Sequence, residues 1–234
     1  METKLEELRK SISLSLPHEF RTPLTGILGF SEILKTSEGL SQEEASYIGT
    51  HIYGSAKRLQ RLLENILLMT ELDILATGVE GLKRIRQSSA AVGIVVSQVV
   101  ESMANEAGRK DDMRISVQDA RVKVSGAHLS KAVEEIVSNA LKFSSKGMLI
   151  QVSASIQEGF AVLAVEDKGK GMSEEQIQRI GAYVQFDRGH REQQGSGLGL
   201  SIVKKIAQLY GGSLSIESSP SSGTKVTLKF PLAE

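Results

Sequence analysis

Cysteine is absent from the 234-residue sequence, which removes disulfide frameworks, thiolate zinc sites and cysteine nucleophiles and agrees with a reducing compartment. No excess of one charge exists either, since 28 Lys+Arg stand against 28 Asp+Glu. A neutral chain has no global field to gather polyanions, so no nucleic acid is expected as a partner and any anion binding is left to local patches. Long hydrophobic runs are also missing. The most apolar stretch, Val92 to Val100, is interrupted by Gly93, Ser97 and Gln98, well short of the roughly 20 apolar residues a bilayer crossing requires. No signal peptide is visible. The expectation is a cytoplasmic chain without membrane contact of its own. The 40% of residues that are hydrophobic are enough to bury a core in one large or two small domains.

Proline is scarce in residues 1–75, with only Pro17 and Pro23, and helical periodicity runs almost throughout. Ile48, Ile52, Ser55, Leu59, Leu62, Ile66 and Met69 step alternately by four and three, the seam of a coiled coil or four-helix bundle. Upstream, Leu5, Leu8, Ile12, Leu16, Phe20, Leu24 and Ile27 form a second stripe, and Ser37 to Ser41 with Gly39 supplies a turn. Two helices cannot enclose a core alone, so the hairpin is expected to pair with a second copy into a dimeric four-helix bundle. From Ser88 the pattern becomes α+β. Strands are predicted near 114–117, 122–124, 148–156, 160–166, 213–217 and 224–230, and helices at 88–107, 129–142, 173–181 and 199–210, giving a sheet covered by helices on one face. The expected division is 1–75, a linker at 76–87, and 88–234.

Three elements in the second part carry chemistry. After an apolar strand comes Asp167-Lys168-Gly169-Lys170-Gly171, whose glycines permit positive φ and close approach of backbone to a ligand. Further on, Gly195-Ser196-Gly197-Leu198-Gly199-Leu200 runs straight into an apolar helix, and helix N-termini present unpaired N–H groups that suit polyphosphates. Glu135, Asn139 and Lys142 are spaced four and three apart, so a carboxylate, an amide and an ammonium share one helical face. Hard oxygen ligands of this kind suit Mg²⁺, which keeps waters and bridges to substrate phosphates. Taken singly, each element has a plain reading as a turn, a flexible loop or a solvated helix face. Their occurrence together is the specific signal.

The sequence resembles the catalytic core of a sensor histidine kinase over nearly its whole length. Ser15-Leu16-Pro17-His18-Glu19-Phe20-Arg21-Thr22-Pro23-Leu24 is similar to the phospho-acceptor H box, and Glu134 to Ser144 to the N box. Asp167 to Gly171 and Gly195 to Leu200 are similar to the two glycine boxes. The resemblance implies a dimerisation and histidine-phosphotransfer hairpin followed by an α/β sandwich of the Bergerat type that binds ATP with Mg²⁺. It implies that Asp167 accepts a hydrogen bond from the adenine amino group, with Gly169 and Gly171 shaping that wall and Thr224 supporting the carboxylate. It also implies that Asn139 holds Mg²⁺, that Lys142 approaches the phosphates, and that Gly195, Gly197, Leu198 and Gly199 bring backbone N–H groups to them under a lid at 183–196. Phe186 resembles the aromatic of the F box, and Arg188 follows as a γ-phosphate contact. Many relatives carry Asn where this chain has Glu135, which related ATPases use to orient a water or a metal.

His18 lies about 200° around the helix from the Leu16 and Phe20 stripe, so its ring is expected to point outward. Neutral imidazole has a free lone pair for attack on a γ-phosphate, and Glu19 can orient or deprotonate the other nitrogen. Pro23 removes a helical hydrogen bond, so the helix is expected to bend or loosen just after His18, and Thr22, Gly26 and Gly29 continue that side with small groups that leave room for another protein's acidic site. In the family the partner is a response-regulator receiver domain whose aspartate takes the phosphoryl group, and the Glu19-x-x-Thr22 spacing resembles a phosphatase signature. The competing expectation is a Bergerat-fold ATPase or a protein-serine kinase using the same nucleotide pocket.

Overall fold

A computed structural model describes residues 2–78, 88–178, 180 and 198–233, with side chains from Glu19 onward. Among these, residues 2–69 form one compact unit, and the described residues from Thr70 onward form the second.

Helices α1 (Glu2–Thr36) and α2 (Gln42–Thr77) make up the hairpin. Both prolines lie within α1, and the loosening expected at Pro23 does not interrupt it; Pro23 is itself buried. Gly39 at φ +72° makes the turn in a left-handed conformation that favours glycine. Ser41 then starts α2 reciprocally. Its hydroxyl accepts from the Glu44 N–H at 3.2 Å, and the Glu44 carboxylate accepts from the Ser41 N–H at 2.9 Å, the exchange of a capping box. These bonds hold the Glu44 carboxyl below its ordinary pKa, the backbone N–H contributing most.

Along α2 the expected seam is buried at Ile48, Ser55 and Leu62 and half-buried at Ile52, Leu59, Ile66 and Met69. In the α1 stripe Phe20 and Ile27 are half-buried and Leu24 is 45% exposed in the single chain, while Gly26 faces α2, because a Cβ there would lie 2.7 Å from Ser55 Oγ. Close approach of the two helices at this point requires a residue without a Cβ.

In the second unit β1 (Ala90–Ala91) leads into α3 (Val92–Glu106), and β1 pairs with β3 (Arg121–Val122). The predicted helix at 88–107 therefore starts later, after a short pairing strand. A second sheet has the order β2-β4-β5-β7-β6, built from β2 (Met113–Val117), β4 (Ile150–Gln157), β5 (Phe160–Asp167), β6 (Ser213–Ser218) and β7 (Thr224–Pro231). Helix α4 (Gly126–Phe143) precedes β4; α5 (Glu174–Gln178) and α6 (Leu198–Leu209) lie between β5 and β6.

Side chains alternate across the pleat with period two, and the register aligns them in rows. Val152, Val165 and Val226 form one buried row; Ala154, Leu163 and Leu228 form the next. The same face of α4 and α6 supplies Leu129, Val133, Ile136, Ile202 and Ile206, all fully buried. One row further along, at the end of the sheet, stand Ile150, Asp167, Thr224 and Ser218. Alternation thus puts a carboxylate on the core face where the apolar rows stop.

Candidate nucleotide site and phospho-acceptor hairpin

Asp167 is only 7% exposed. Burial raises its carboxyl pKa above the ordinary carboxylate value, and backbone N–H donors from Gly169 and Thr224 partly offset that rise. The Gly169 N–H reaches Asp167 Oδ1 at 2.8 Å. A buried acceptor held by N–H groups on the rim of a core is arranged to meet a further donor.

The surrounding backbone leaves no room for side chains. A Cβ on Gly169 would lie 2.1 Å from the Phe143 carbonyl oxygen, one on Gly171 1.9 Å from that of Ser219, and one on Gly223 2.0 Å from that of Asp167. Gly171 and Gly223 also have φ of +65° and +85°. The turn is tied at both ends, by Lys170 N–H to Phe143 C=O at 3.1 Å and Ser221 N–H to Lys170 C=O at 2.8 Å.

Ser218 fastens the far side. Its hydroxyl accepts from the Met172 N–H, donates to the Gly223 carbonyl at 2.7 Å, and stands 3.0 Å from Thr224 Oγ1. With the Ser218 proton committed to Gly223, Thr224 is the donor between the two hydroxyls. Asp167, Ser218, Gly223 and Thr224 line an open hollow of about 380 Å³.

On α4 the three aligned residues occupy different depths. Glu135 is 3% exposed and pairs with Lys131 at 2.7 Å. Its other oxygen lies where a Cβ on Gly199 would come within 2.3 Å, so this carboxylate sits against the first turn of α6, where the helix dipole favours negative charge. Asn139 is half-buried and makes no side-chain hydrogen bond among the described residues. Lys142 is exposed, its ammonium 5.0 Å from the Phe143 ring centroid. Among the described residues no group of three or more His, Cys, Asp or Glu could cage a metal. The donor set instead fits a Mg²⁺ ion that keeps waters and is carried on phosphates, with the Asn139 amide oxygen as the available protein ligand.

Arg109 was not visible in the sequence as anything but a surface charge. It is 6% exposed, bonds Asp112 at 2.6 Å, and donates to the carbonyls of Leu141, Ser144, Ser145 and Met148. These are acceptors at and beyond the C-terminal end of α4, so one guanidinium caps the helix that carries Asn139, Lys142 and Phe143.

In the hairpin, Thr22 is exposed and Glu19 half-buried. Thr22, Pro23, Gly26, His51, Ser55 and Arg58 line a smaller cavity of about 160 Å³. The outward ring expected at His18 and the roles expected of Phe186, Arg188, Gly195 and Gly197 lie outside what the described side chains and residues cover, as does the lid at 183–196.

Comparison with known proteins gives these two units a family. Residues 10–74 match the His Kinase A (phospho-acceptor) domain, and residues 124–234 match the histidine kinase-, DNA gyrase B- and HSP90-like ATPase domain. The chain belongs to the sensor histidine kinases. It is 32% identical over 221 residues to the histidine protein kinase DivJ of Caulobacter vibrioides, covering 93% of this chain and 36% of DivJ. It is 30% identical to the sensor protein KdpD of Clostridium acetobutylicum, covering 99% of this chain and 25% of KdpD. The histidine kinase core thus spans about a third or less of these two relatives. Among solved structures, the mycobacterial sensor histidine kinase MprB aligns at a TM-score of 0.54 with 26% identity, covering 62% of this chain and 98% of MprB. The Acinetobacter baumannii histidine kinase AdeS aligns at 0.66 over 93% of this chain and 98% of AdeS, with 17% identity, and shares the fold. The ATPase-type domain implies ATP binding. No helix among the described residues is long and apolar enough to cross a membrane.

Proposed function

We propose that this histidine kinase core phosphorylates itself on His18 from ATP and passes the phosphoryl group to an aspartate of a response-regulator receiver domain. The observation that carries the reading is the buried Asp167 carboxylate in a cradle of glycines that admit no side chain, on a chain that also carries a phospho-acceptor hairpin.

Asp167 accepts a hydrogen bond from the adenine amino group, with Gly169 and Gly171 as the wall and Thr224 steadying the carboxylate. Asn139 is the ligand for Mg²⁺, which when bound neutralises charge on the phosphates. Lys142 contacts the phosphates, joined by Arg188 and by the backbone of Gly195, Gly197, Leu198 and Gly199, with Phe186 in the lid. Glu135, held by Lys131 and the α6 terminus, serves first to seat that helix. The His18 ring nitrogen attacks the γ-phosphorus, a new N–P bond forms, the bridging P–O bond breaks, and ADP leaves. Glu19 takes the proton from the other ring nitrogen. Little covalent assistance is needed, so positioning and charge stabilisation supply the catalysis. Thr22 places a water for hydrolysis of the phosphorylated regulator.

A homodimer follows from the hairpin. Leu24, Leu28, Leu63 and Leu67 are 45–69% exposed in one chain, apolar surface that a second hairpin would cover. A cytoplasmic location suits this chemistry.

Incubation of the chain with γ-labelled ATP and Mg²⁺ tests the reaction class. The expected label survives alkali and is lost in acid, as a phosphoramidate should be. A label stable in acid would assign the chain to the serine-kinase alternative, and release of free phosphate with no protein label would assign it to the ATPase alternative.

A further inference from the structure

The turn Asp167 to Gly171 contains two lysines with different surroundings. Lys168 is matched by Glu166 at 2.8 Å, an exposed pair. Lys170 has no carboxylate partner among the described residues. Its ammonium instead stands 4.6 Å from the Phe143 ring centroid, and Lys142 approaches the same ring at 5.0 Å. The two ammonium groups are therefore no more than about 10 Å apart, within one Debye length at moderate salt. Like charges at that separation repel, and an anion that reaches both is attracted by both.

The backbone of Lys170 is fixed from both directions by its bonds to Phe143 and Ser221, so its long side chain works from a rigid point. The same Phe143 carbonyl fills the space above Gly169, whose N–H holds Asp167. Phe143 thus joins the two lysines to the wall of the adenine site, and an elongated anion attached to adenine is the ligand whose charge lies within reach.

We propose that Lys170 is a further nucleotide-binding residue, contacting the phosphate chain of bound ATP or ADP alongside Lys142. This rests on the nucleotide site proposed above. A lysine that only decorates an aromatic face makes no distinction between a nucleoside and its phosphates; a phosphate contact does.

The test is calorimetric titration of the full chain with ATP, ADP and adenosine in one magnesium-containing buffer, comparing the unaltered protein with Lys170→Met, Lys170→Arg and the surface control Lys110→Met. The expected result is a loss of about three- to tenfold in ATP and ADP affinity for Lys170→Met, with adenosine unchanged, most of the loss restored by Lys170→Arg, and no change in the control. Retained adenosine binding also shows that the variant is folded. Unchanged ATP affinity, or an equal loss for adenosine and ATP, would overturn the proposal. Failure of the unaltered chain to bind ATP at all would overturn the nucleotide reading itself, and this inference with it.

Discussion

Burying the Asp167 carboxylate is costly, and its amide neighbours only partly offset that cost. A carboxyl whose folded pKa is raised favours the protonated form. Its stability contribution therefore falls as pH rises from the ordinary carboxylate value through the raised one, and the full cost remains above both. Asp167→Asn removes that cost. The variant should melt at or slightly above the temperature of the unaltered chain at neutral pH, by up to about 1 kcal/mol of stability, and the two should converge in acid. Nucleotide affinity should meanwhile fall by about tenfold or more, since the amide replaces an acceptor with a group that is half donor. Thermal melts across pH together with titration of ATP check both halves; a destabilised variant with intact binding would contradict the account. Asp167 was legible from its place between an apolar strand and two glycines. Ser218 was not, because its role arises only from the register that sets it across from Thr224.

At the scale of elements, what was legible followed periodicity. The hairpin, α4, α6 and most strands of the large sheet announce themselves by apolar spacing, and the seam on α2 buries as its period predicts. The short pieces are less legible. The strand predicted near 122–124 is Arg121–Val122, and its two-residue partner β1, at Ala90–Ala91, falls within the predicted helix 88–107, since the two pair through residues distant in sequence. α5 spans Glu174–Gln178 rather than the predicted 173–181. The contact of Gly26 with α2 is not legible in the sequence, because one helix's pattern does not say where the other approaches. Arg109 was invisible for a related reason: its acceptors lie about 30 to 40 residues away and are main-chain carbonyls, which leave no mark on side-chain sequence. Arg109→Met should uncap α4 by removing the donor to four main-chain carbonyls, costing about 3 kcal/mol. In a chain of this size that corresponds to a fall in Tm of about 6–12 °C. A melt within 2 °C of the unaltered protein, or about that margin, would show that α4 does not depend on this guanidinium.

In the whole molecule two modules of different construction follow one another. A helical hairpin matches the phospho-acceptor domain and leaves Leu24, Leu28, Leu63 and Leu67 exposed, while a sheet covered by helices ends in a row that holds Asp167, Thr224 and Ser218. The order of these modules in the chain, phospho-acceptor first and ATPase-type domain second, distinguishes a kinase acting on its own histidine from an ATPase that lacks an acceptor. The measurement that bears most directly on this is mapping of the phosphorylated residue by peptide mass spectrometry under alkaline conditions, after reaction with ATP and Mg²⁺, in the unaltered chain and in His18→Gln. The account predicts a phosphoryl group on the peptide containing His18, absent from the variant while its ATP affinity is unchanged. Phosphorylation at another residue, or undiminished in His18→Gln, would contradict it.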